Sequence, residues 1–191
     1  MSLSWPRRLR ETWGLVGDNN VASHRNQGAP SRFAIKPLGD FTRTLNESVK
    51  IGQAVIVEGP YGCFDFGDVA DDQVWVAGGV GISAFLARLG MLASIGGTKA
   101  EIHFFHSVSN EAESSFPDGL EDLCIQANVE RHLRIADRGG RIKSADILPF
   151  VSAIGVWFCG PSRWASDLQS ALRQRRDLPS GLFHRELFVF R

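Results

Sequence analysis

The stretch Gln73-Val-Trp-Val-Ala-Gly-Gly-Val-Gly-Ile-Ser-Ala-Phe-Leu-Ala-Arg88 decides how this chain folds. Val74 to Ala77 is short and apolar, three glycines then interrupt it, and from Ser83 onward apolar residues recur at helical spacing. The pattern predicts a strand, a glycine turn and a helix. Glycine tolerates positive φ and lacks a Cβ, and the N–H groups that open a helix carry partial positive charge. Such a turn suits an anion, above all a pyrophosphate.

The turn matches only part of a dinucleotide fingerprint. Gly79-Val80-Gly81-Ile82-Ser83-Ala84 fits the pattern G-x-G-x-x-G/A, but the following strand ends in His106-Ser107-Val108-Ser109-Asn110. The acidic residue that would bind a ribose is therefore missing from that strand end. The alternative interpretation of the same stretch is a buried strand that turns tightly into a packed helix.

Composition excludes several classes of function. With 191 residues the chain suits one domain, or one domain and a fragment, and 21 basic residues balance 21 acidic ones, so nucleic acid is not expected as a partner. Three cysteines without a C-x-x-C spacing cannot supply an iron–sulfur cluster and do not indicate an oxidising compartment. No secretory signal is visible, and Arg88 with the three glycines argues against a membrane span from Val74 to Gly97, so a cytoplasmic location is expected.

From Gln73 onward, strands and helices alternate. The predicted strands are Val74–Ala77, Ala100–Ser107, Val129–Ile135, Val156–Cys159 and Phe183–Phe190, and the helices are Ser83–Ser94, a helix near Pro117–Gln126, a short one from Ser144, and Pro161–Arg175. Alternation of this kind predicts an α/β fold with a doubly wound, five-stranded parallel sheet, whose ligands bind beyond the carboxyl ends of the strands. The glycine turn and Cys159-Gly160-Pro161 both follow such ends, so they should line one crevice.

The first part of the chain reads differently. Two short strands, Arg32–Lys36 and Ala54–Glu58, flank a short helix after Gly39, and two strands cannot close a sheet by themselves. We interpret this part as a piece of a small β-domain whose remainder is missing or lies in another chain. The predicted domains are 1–67 for this piece and 68–191 for the nucleotide-binding domain, joined through the linker Phe64–Asp72.

Several motifs share the order and approximate spacing of one family. They are Lys36-Pro37-Leu38-Gly39-Asp40-Phe41-Thr42, Glu58-Gly59-Pro60-Tyr61-Gly62, Ala77-Gly78-Gly79-Val80-Gly81-Ile82, Cys159-Gly160-Pro161 and Phe183-His184-Arg185-Glu186-Leu187-Phe188. Over about residues 32 to 191 the chain resembles the ferredoxin–NADP reductase superfamily, and most closely its ferric reductase and NADPH-oxidase-like branch.

The resemblance implies a role for each matching residue. Members pair an antiparallel flavin-binding β-barrel with a nicotinamide-nucleotide domain, pass a hydride from NAD(P)H to FAD, and release single electrons to an acceptor. The resemblance implies that residues 1–67 are an incomplete segment of that barrel. By that resemblance Gly39 and Thr42 meet the FAD pyrophosphate, and a second group meets the NADP or NAD pyrophosphate: Gly78, Gly79, Gly81, Ile82 and Ser83. Cys159, Gly160 and Pro161 meet the nicotinamide, and Glu186 lies near the flavin ring. Cys159 and Glu186 are the candidate catalytic residues.

Two departures from the family pattern limit these expectations. Of the family's Arg-aromatic-Ser/Thr flavin motif only Ser23 remains, so the chain alone is not expected to hold FAD tightly. Ser107 and Ser109 stand where NADP-preferring members often place an arginine, so the choice between NADP and NAD stays open. Two functions follow: the nicotinamide-nucleotide domain of a flavin-dependent reductase, whose partner is a missing upstream barrel or a membrane haem domain on the cytoplasmic face, or a truncated nucleotide-binding module without catalysis.

Other polar groups have plainer interpretations. Cys159 is also explained as a small buried apolar residue. His103 and His106 are three apart in a strand and face opposite ways, so they cannot share an ion, and no metal site is predicted. Asp137 to Arg141 is interpreted first as a turn, with arginines that could approach a cofactor phosphate.

Overall fold

The centre of the molecule is a parallel β-sheet. A computed structural model of the chain describes residues 40–54, 64–66, 71–114, 118–151, 155–175 and 181–187. The strands are β1 Gln73–Gly78, β2 Ile102–Val108, β3 Glu130–Ile135, β4 Gly155–Gly160 and β5 Phe183–Leu187. All neighbouring pairs are parallel and the order is β3-β2-β1-β4-β5. The predicted five-stranded sheet is confirmed, with strand ends within two residues of expectation wherever the structure describes them.

One helix precedes β1, and the others lie in the connections between successive strands. They are α1 Asp40–Ser48, α2 Ser83–Ser94, α3 Glu111–Ser114, α4 Leu120–Ala127, α5 Ala136–Gly139, α6 Ser144–Ile147 and α7 Ser162–Gln174, with 3-10 turns at Gly79–Ile82 and Leu148–Phe150. The helix expected near Pro117 begins only at Leu120, after Gly119 in the left-handed region. Within the described residues, no helix combines the length and the apolar character that crossing a membrane requires.

Two apolar cores cover the two faces of the sheet. Trp75 and Trp157 point to one face, where they pack with residues of α2 and α4 such as Phe85 and Cys124. Val76 and Phe158 point to the other face and pack with Leu168 of α7 and with α6. Because both faces are covered, β1 and β4 are buried along nearly their whole length, as central strands of a doubly wound sheet should be.

Two residues of the segment predicted as a linker, Phe64 and Phe66, belong instead to the core. Phe64 and Phe66 are only 7% and 3% exposed, and both rings pack against Trp157 at centroid distances of 5.2 and 5.1 Å. The amide of the buried Gln73 donates to the Phe66 carbonyl at 2.6 Å and so fixes the segment beside β1. The linker interpretation was wrong for these residues because their aromatic area is more stable inside the core than in water.

The predicted barrel segment is described only in part. The short helix expected after Gly39 is present as α1. The strand Arg32–Lys36, and the strand Ala54–Glu58 except for its first residue, lie outside the described residues, as does the turn Gly59–Gly62. The division into domains at residues 67 and 68 therefore stays a prediction, with the qualification that Phe64 and Phe66 pack with the second unit.

Candidate functional site

The two predicted binding segments meet at the point where the strand order reverses. After β3 the chain crosses back over the sheet and places β4 on the other side of β1. A Cβ added to Gly160 would lie 3.1 Å from the backbone nitrogen of Gly78, so the carboxyl ends of β1 and β4 are in close backbone contact. The loops leaving these ends diverge above and below the sheet, which opens a crevice there. The expectation that both segments meet at one end of the sheet is confirmed, and their role in binding a ligand stays a prediction.

Two of the glycines are required by packing rather than by a ligand. A Cβ on Gly81 would lie 2.2 Å from the carbonyl oxygen of Cys159, and one on Gly78 would lie 2.8 Å from Cδ of Pro161. Neither position has room for a side chain even without a ligand. Gly78 and Gly81 therefore allow the turn to pack tightly on the end of β4.

Gly79 differs from both neighbours. Its φ is +54°, in the left-handed region, and a Cβ built there would have no atom within 4 Å. Its backbone conformation favours glycine, yet no protein group fills the space beside it. Gly79 thus leaves an open path to the backbone of the turn, which is what a ligand approaching the amides requires.

Two helix starts face this crevice without side-chain caps. One is the helical run that begins at Gly79 and continues as α2, and the other is the start of α7 after Pro161. In neither does a side chain accept a hydrogen bond from the first amides. Uncapped amides at a helix start carry partial positive charge and need acceptors. Ser83 is half-buried in the first turn of α2, whereas Ile82 points into the core. The arrangement fits a diphosphate.

Cys159 lies in the core beside the crevice. It is 0% exposed, and burial raises the pKa of its thiol, with the Glu186 carboxylate adding to the effect. The thiol is therefore neutral at physiological pH and is not a nucleophile. In this conformation its sulfur packs among apolar side chains, so the proposed contact with a nicotinamide stays a prediction.

Glu186 lies next to Cys159 in the sheet. The two residues are register partners on β5 and β4, and burial raises the pKa of the half-buried Glu186 carboxyl. A carboxyl in this position holds a proton more readily than one in water. Of the two residues predicted to meet FAD, Thr42 lies in the first turn of α1, and Gly39 lies outside the described residues.

Sequence reasoning missed Trp164. Its ring lies 3.3 Å from the position that a Cβ on Gly78 would take, and its indole Nε1 is buried with no hydrogen-bond partner among the described residues. The available signal was an aromatic residue three positions after Pro161, in the first turn of the helix that opens at the crevice. Trp164 forms a wall beside the glycine turn.

The remaining polar segments are placed as follows. At the end of β2, the backbone nitrogen of Ser109 donates to Glu113 at 2.9 Å. The segment expected to turn at Asp137 forms the single helical turn α5, and Arg138 makes a 3.0 Å ion pair with Glu111. His103 and His106 face opposite sides of the sheet, as expected: one contacts His132 and the other Arg131.

The chain is similar in sequence to components of electron-transfer systems. No family model matches the chain. Over 145 residues it is 30% identical to the anthranilate 1,2-dioxygenase electron transfer component of Acinetobacter baylyi, covering 75% of this chain and 38% of that protein. Over 163 residues it is 25% identical to the reductase component of propane 2-monooxygenase of Rhodococcus jostii, covering 74% and 43%.

The fold has a close counterpart among solved structures. The flavohem-like FAD/NAD binding domain of nitric oxide dioxygenase from Vibrio cholerae O1 biovar El Tor superposes with a TM-score of 0.68 at 21% identity, covering 83% of this chain and 71% of that one. The chain spans about two fifths of the length of the two curated relatives. The similar sequences support assignment of this chain to the ferredoxin–NADP reductase-like superfamily. The solved structure shows that the two proteins share the fold.

Proposed function

We propose that this chain is the nicotinamide-nucleotide-binding part of a flavin-dependent reductase. The nucleotide lies across the crevice, with its pyrophosphate on the turn Gly79–Ile82 and its nicotinamide toward Gly160 and Pro161. The observation that carries the proposal is the open approach beside Gly79, between two helix starts that no side chain caps. The names of the relatives, an electron transfer component and a reductase component, support the same role.

The described residues would bind and orient the nucleotide. Amides at the two helix starts donate to phosphate oxygens, and the Trp164 ring packs beside the turn and limits access of water. Bound NAD(P)H would supply a hydride, which is two electrons and a proton, and a bound FAD would take up this hydride together with one further proton. Hydride transfer requires the donor carbon and the acceptor nitrogen about 3 to 3.5 Å apart, so positioning is the main task of the protein.

Glu186 is the described residue best suited to serve the flavin side. It lies on β5, which β4 separates from the strand that leads into the glycine turn, and burial raises the pKa of its carboxyl. A carboxyl that retains its proton can donate a hydrogen bond to a ring nitrogen or supply the proton that accompanies reduction. Its position beside Cys159 ties both predicted catalytic residues to one place in the sheet.

We further propose that NADH is preferred over NADPH. A 2′-phosphate needs an arginine near the end of the second strand, whereas an acidic residue suits the free ribose hydroxyls. At this end of the sheet Glu113 accepts a hydrogen bond from the Ser109 backbone, and Arg138 is engaged by Glu111. Ser109→Arg should therefore move the preference toward NADPH, measured as the ratio of the two dissociation constants.

The electron acceptor is the finer part of the proposal. Resemblance to the ferric reductase branch favours a haem domain in a membrane, whereas the names of the relatives concern a dioxygenase and a monooxygenase. The second candidate function is a nucleotide-binding module without catalysis, which the loss of the flavin motif favours. A reductase for a haem domain and a reductase for an oxygenase must both bind NADH, so NADH binding is tested first.

Binding is measured on the full chain by energy transfer from tryptophan to bound NADH, for which Trp164 is well placed. Gly79→Ala should weaken binding about tenfold or more, equivalent to about 1.4 kcal/mol, because its methyl group enters the open path. Gly90→Ala is the matched control: it lies in α2 and its Cβ also meets nothing within 4 Å. Equal affinities of native protein and Gly79→Ala would contradict the assignment.

Catalysis is measured separately, without oxygen, with a large excess of added FAD to fill a weak site. The reductase proposal expects NADH to reduce FAD faster with the chain than without it, and Gly79→Ala to abolish the gain. Tight NADH binding with no acceleration would instead establish the non-catalytic module.

A further inference from the structure

A second group of polar side chains lies at the opposite end of the sheet from the crevice. His103 is near the start of β2, and Glu130 and His132 are at the start of β3. His103 and Glu130 are register partners, and His132 lies two residues further along β3 on the same face. We call these three residues the histidine cluster.

Their ligand atoms converge. His103 Nδ1 lies 3.1 Å from His132 Nε2 and 3.3 Å from a Glu130 carboxylate oxygen, and the other Glu130 oxygen lies 3.7 Å from His132 Nε2. Nitrogen ligands about 2.0 to 2.1 Å from a tetrahedral zinc ion are about 3.3 Å apart. The observed spacing therefore needs only small adjustment to surround one ion.

Glu101 prepares His103 to act as a ligand. Its carboxylate accepts from His103 Nε2 at 2.9 Å, so Nε2 carries a proton and Nδ1 is the ring nitrogen that faces the cluster. A carboxylate on the far nitrogen is the usual outer partner of a metal-binding histidine. This bond is independent of the three converging groups and indicates the same centre.

An aromatic ring covers one side of the cluster. The ring of Phe150 lies 4.5 Å from His103 and 5.1 Å from His132, which shields that side from water.

The other side of the cluster is open. His103 and Glu130 line a groove of about 520 Å³ that also contains Glu101 and Lys99. Glu130 is itself 66% exposed. An ion could enter from this groove, and the fourth coordination position would face it and take a water molecule.

We propose that His103, Glu130 and His132 bind a divalent transition metal between β2 and β3, with Zn²⁺ as the ion that fits best. Two imidazole nitrogens and one carboxylate suit zinc, whereas Mg²⁺ and Ca²⁺ prefer oxygen ligands alone. Because β3 is at the edge of the described sheet, the ion fastens that strand to its single neighbour. The site does not depend on the nucleotide crevice, and its occupancy stabilises the folded chain.

The test begins with the full chain freed of metals by a chelator. Zinc is titrated in competition with a chromogenic chelator, and cobalt is added separately to look for the visible bands of a tetrahedral site. We expect one zinc per chain and a higher melting temperature with zinc. NADH binding, measured on the same sample, should not change.

Variants identify the ligands. His132→Ala and Glu130→Gln affect partly or largely exposed side chains, so both should fold, and each should lose zinc affinity and the zinc-dependent rise in melting temperature. Glu101→Gln keeps all three ligands and should weaken binding about 10- to 100-fold, the usual effect of an outer partner. His184→Ala is the control, since His184 lies in β5, stacks on Trp157 of β4 and is not part of the histidine cluster.

The results can overturn the proposal in two ways. Native protein that fails to bind one zinc at micromolar concentration would exclude the site. Binding that persists in both His132→Ala and Glu130→Gln, or that His184→Ala weakens equally, would show that zinc attaches to other histidines.

Discussion

Gly81 and Gly79 are two residues apart in the same turn, yet replacing each by alanine should have different consequences. In Gly81→Ala the new methyl carbon would begin 2.2 Å from the Cys159 carbonyl oxygen, whereas real contacts of this kind are 3.0 Å or longer. The turn must therefore move away from β4 by about 0.8 Å or more. The obstacle is backbone in a central strand, so no side-chain rotation can relieve it.

The expected cost follows from this geometry. Overpacking a core typically costs about 1 to 3 kcal/mol, and we expect Gly81→Ala to reach about 3 kcal/mol because the obstructing atom is fixed. In Gly79→Ala the new Cβ meets no atom within 4 Å, so the only expected cost in stability comes from its φ of +54°. An alanine in the left-handed region costs about 1 to 2 kcal/mol.

Urea unfolding monitored by tryptophan fluorescence measures both costs, because Trp75 and Trp157 are buried in the core. Equal slopes with denaturant would show that only stability has changed. We expect Gly81→Ala to be the less stable variant and Gly79→Ala to be the one with a specific loss of NADH binding. A Gly81→Ala protein within about 0.5 kcal/mol of native stability would refute the packing argument.

Three further predictions concern titratable groups and the flavin. Burial raises the pKa of Cys124 to about 11 and raises that of Cys159, so alkylation followed by mass spectrometry should leave both thiols unmodified until the chain unfolds. Burial, and to a smaller extent the Arg131 guanidinium, lowers the pKa of His106 to about 3. As the pH falls below about 6.5, His106 therefore takes up a proton in the unfolded chain but not in the folded one. The free energy of unfolding should then fall by about 1.4 kcal/mol per pH unit between about pH 6.5 and 3. His106→Gln should remove that part of the slope in pH-dependent unfolding, and an unchanged slope would contradict it. The chain should also purify without a stoichiometric flavin absorbance band, because its sequence keeps only Ser23 of the Arg-aromatic-Ser/Thr flavin motif.

Much of the fold was readable from the sequence because it depends on local patterns. Apolar runs of four to eight residues separated by helical periodicity specify buried strands and their crossovers, and that pattern placed α2 at Ser83–Ser94 without error. Connection by helices made the sheet parallel, and parallel strands bring their carboxyl ends together. The nearness of the glycine turn to Cys159-Gly160-Pro161 followed from that topology alone.

Only the tertiary structure decided which glycine faces a ligand. Sequence gives Gly78, Gly79 and Gly81 the same meaning, but the close approach of β4 makes Gly78 and Gly81 packing residues and leaves only the space beside Gly79 open. Phe64 and Phe66 were misplaced for a similar reason, since their burial depends on the distant Trp157.

The histidine cluster shows the same limit. His103 and His132 are 29 residues apart, and no local sequence pattern around either residue predicts their contact. Strand register brings them together, because β3 pairs with β2 so that His103 stands opposite Glu130. Local periodicity determines which segments become strands, but contacts between strands depend on register, which is set by packing of the whole sheet.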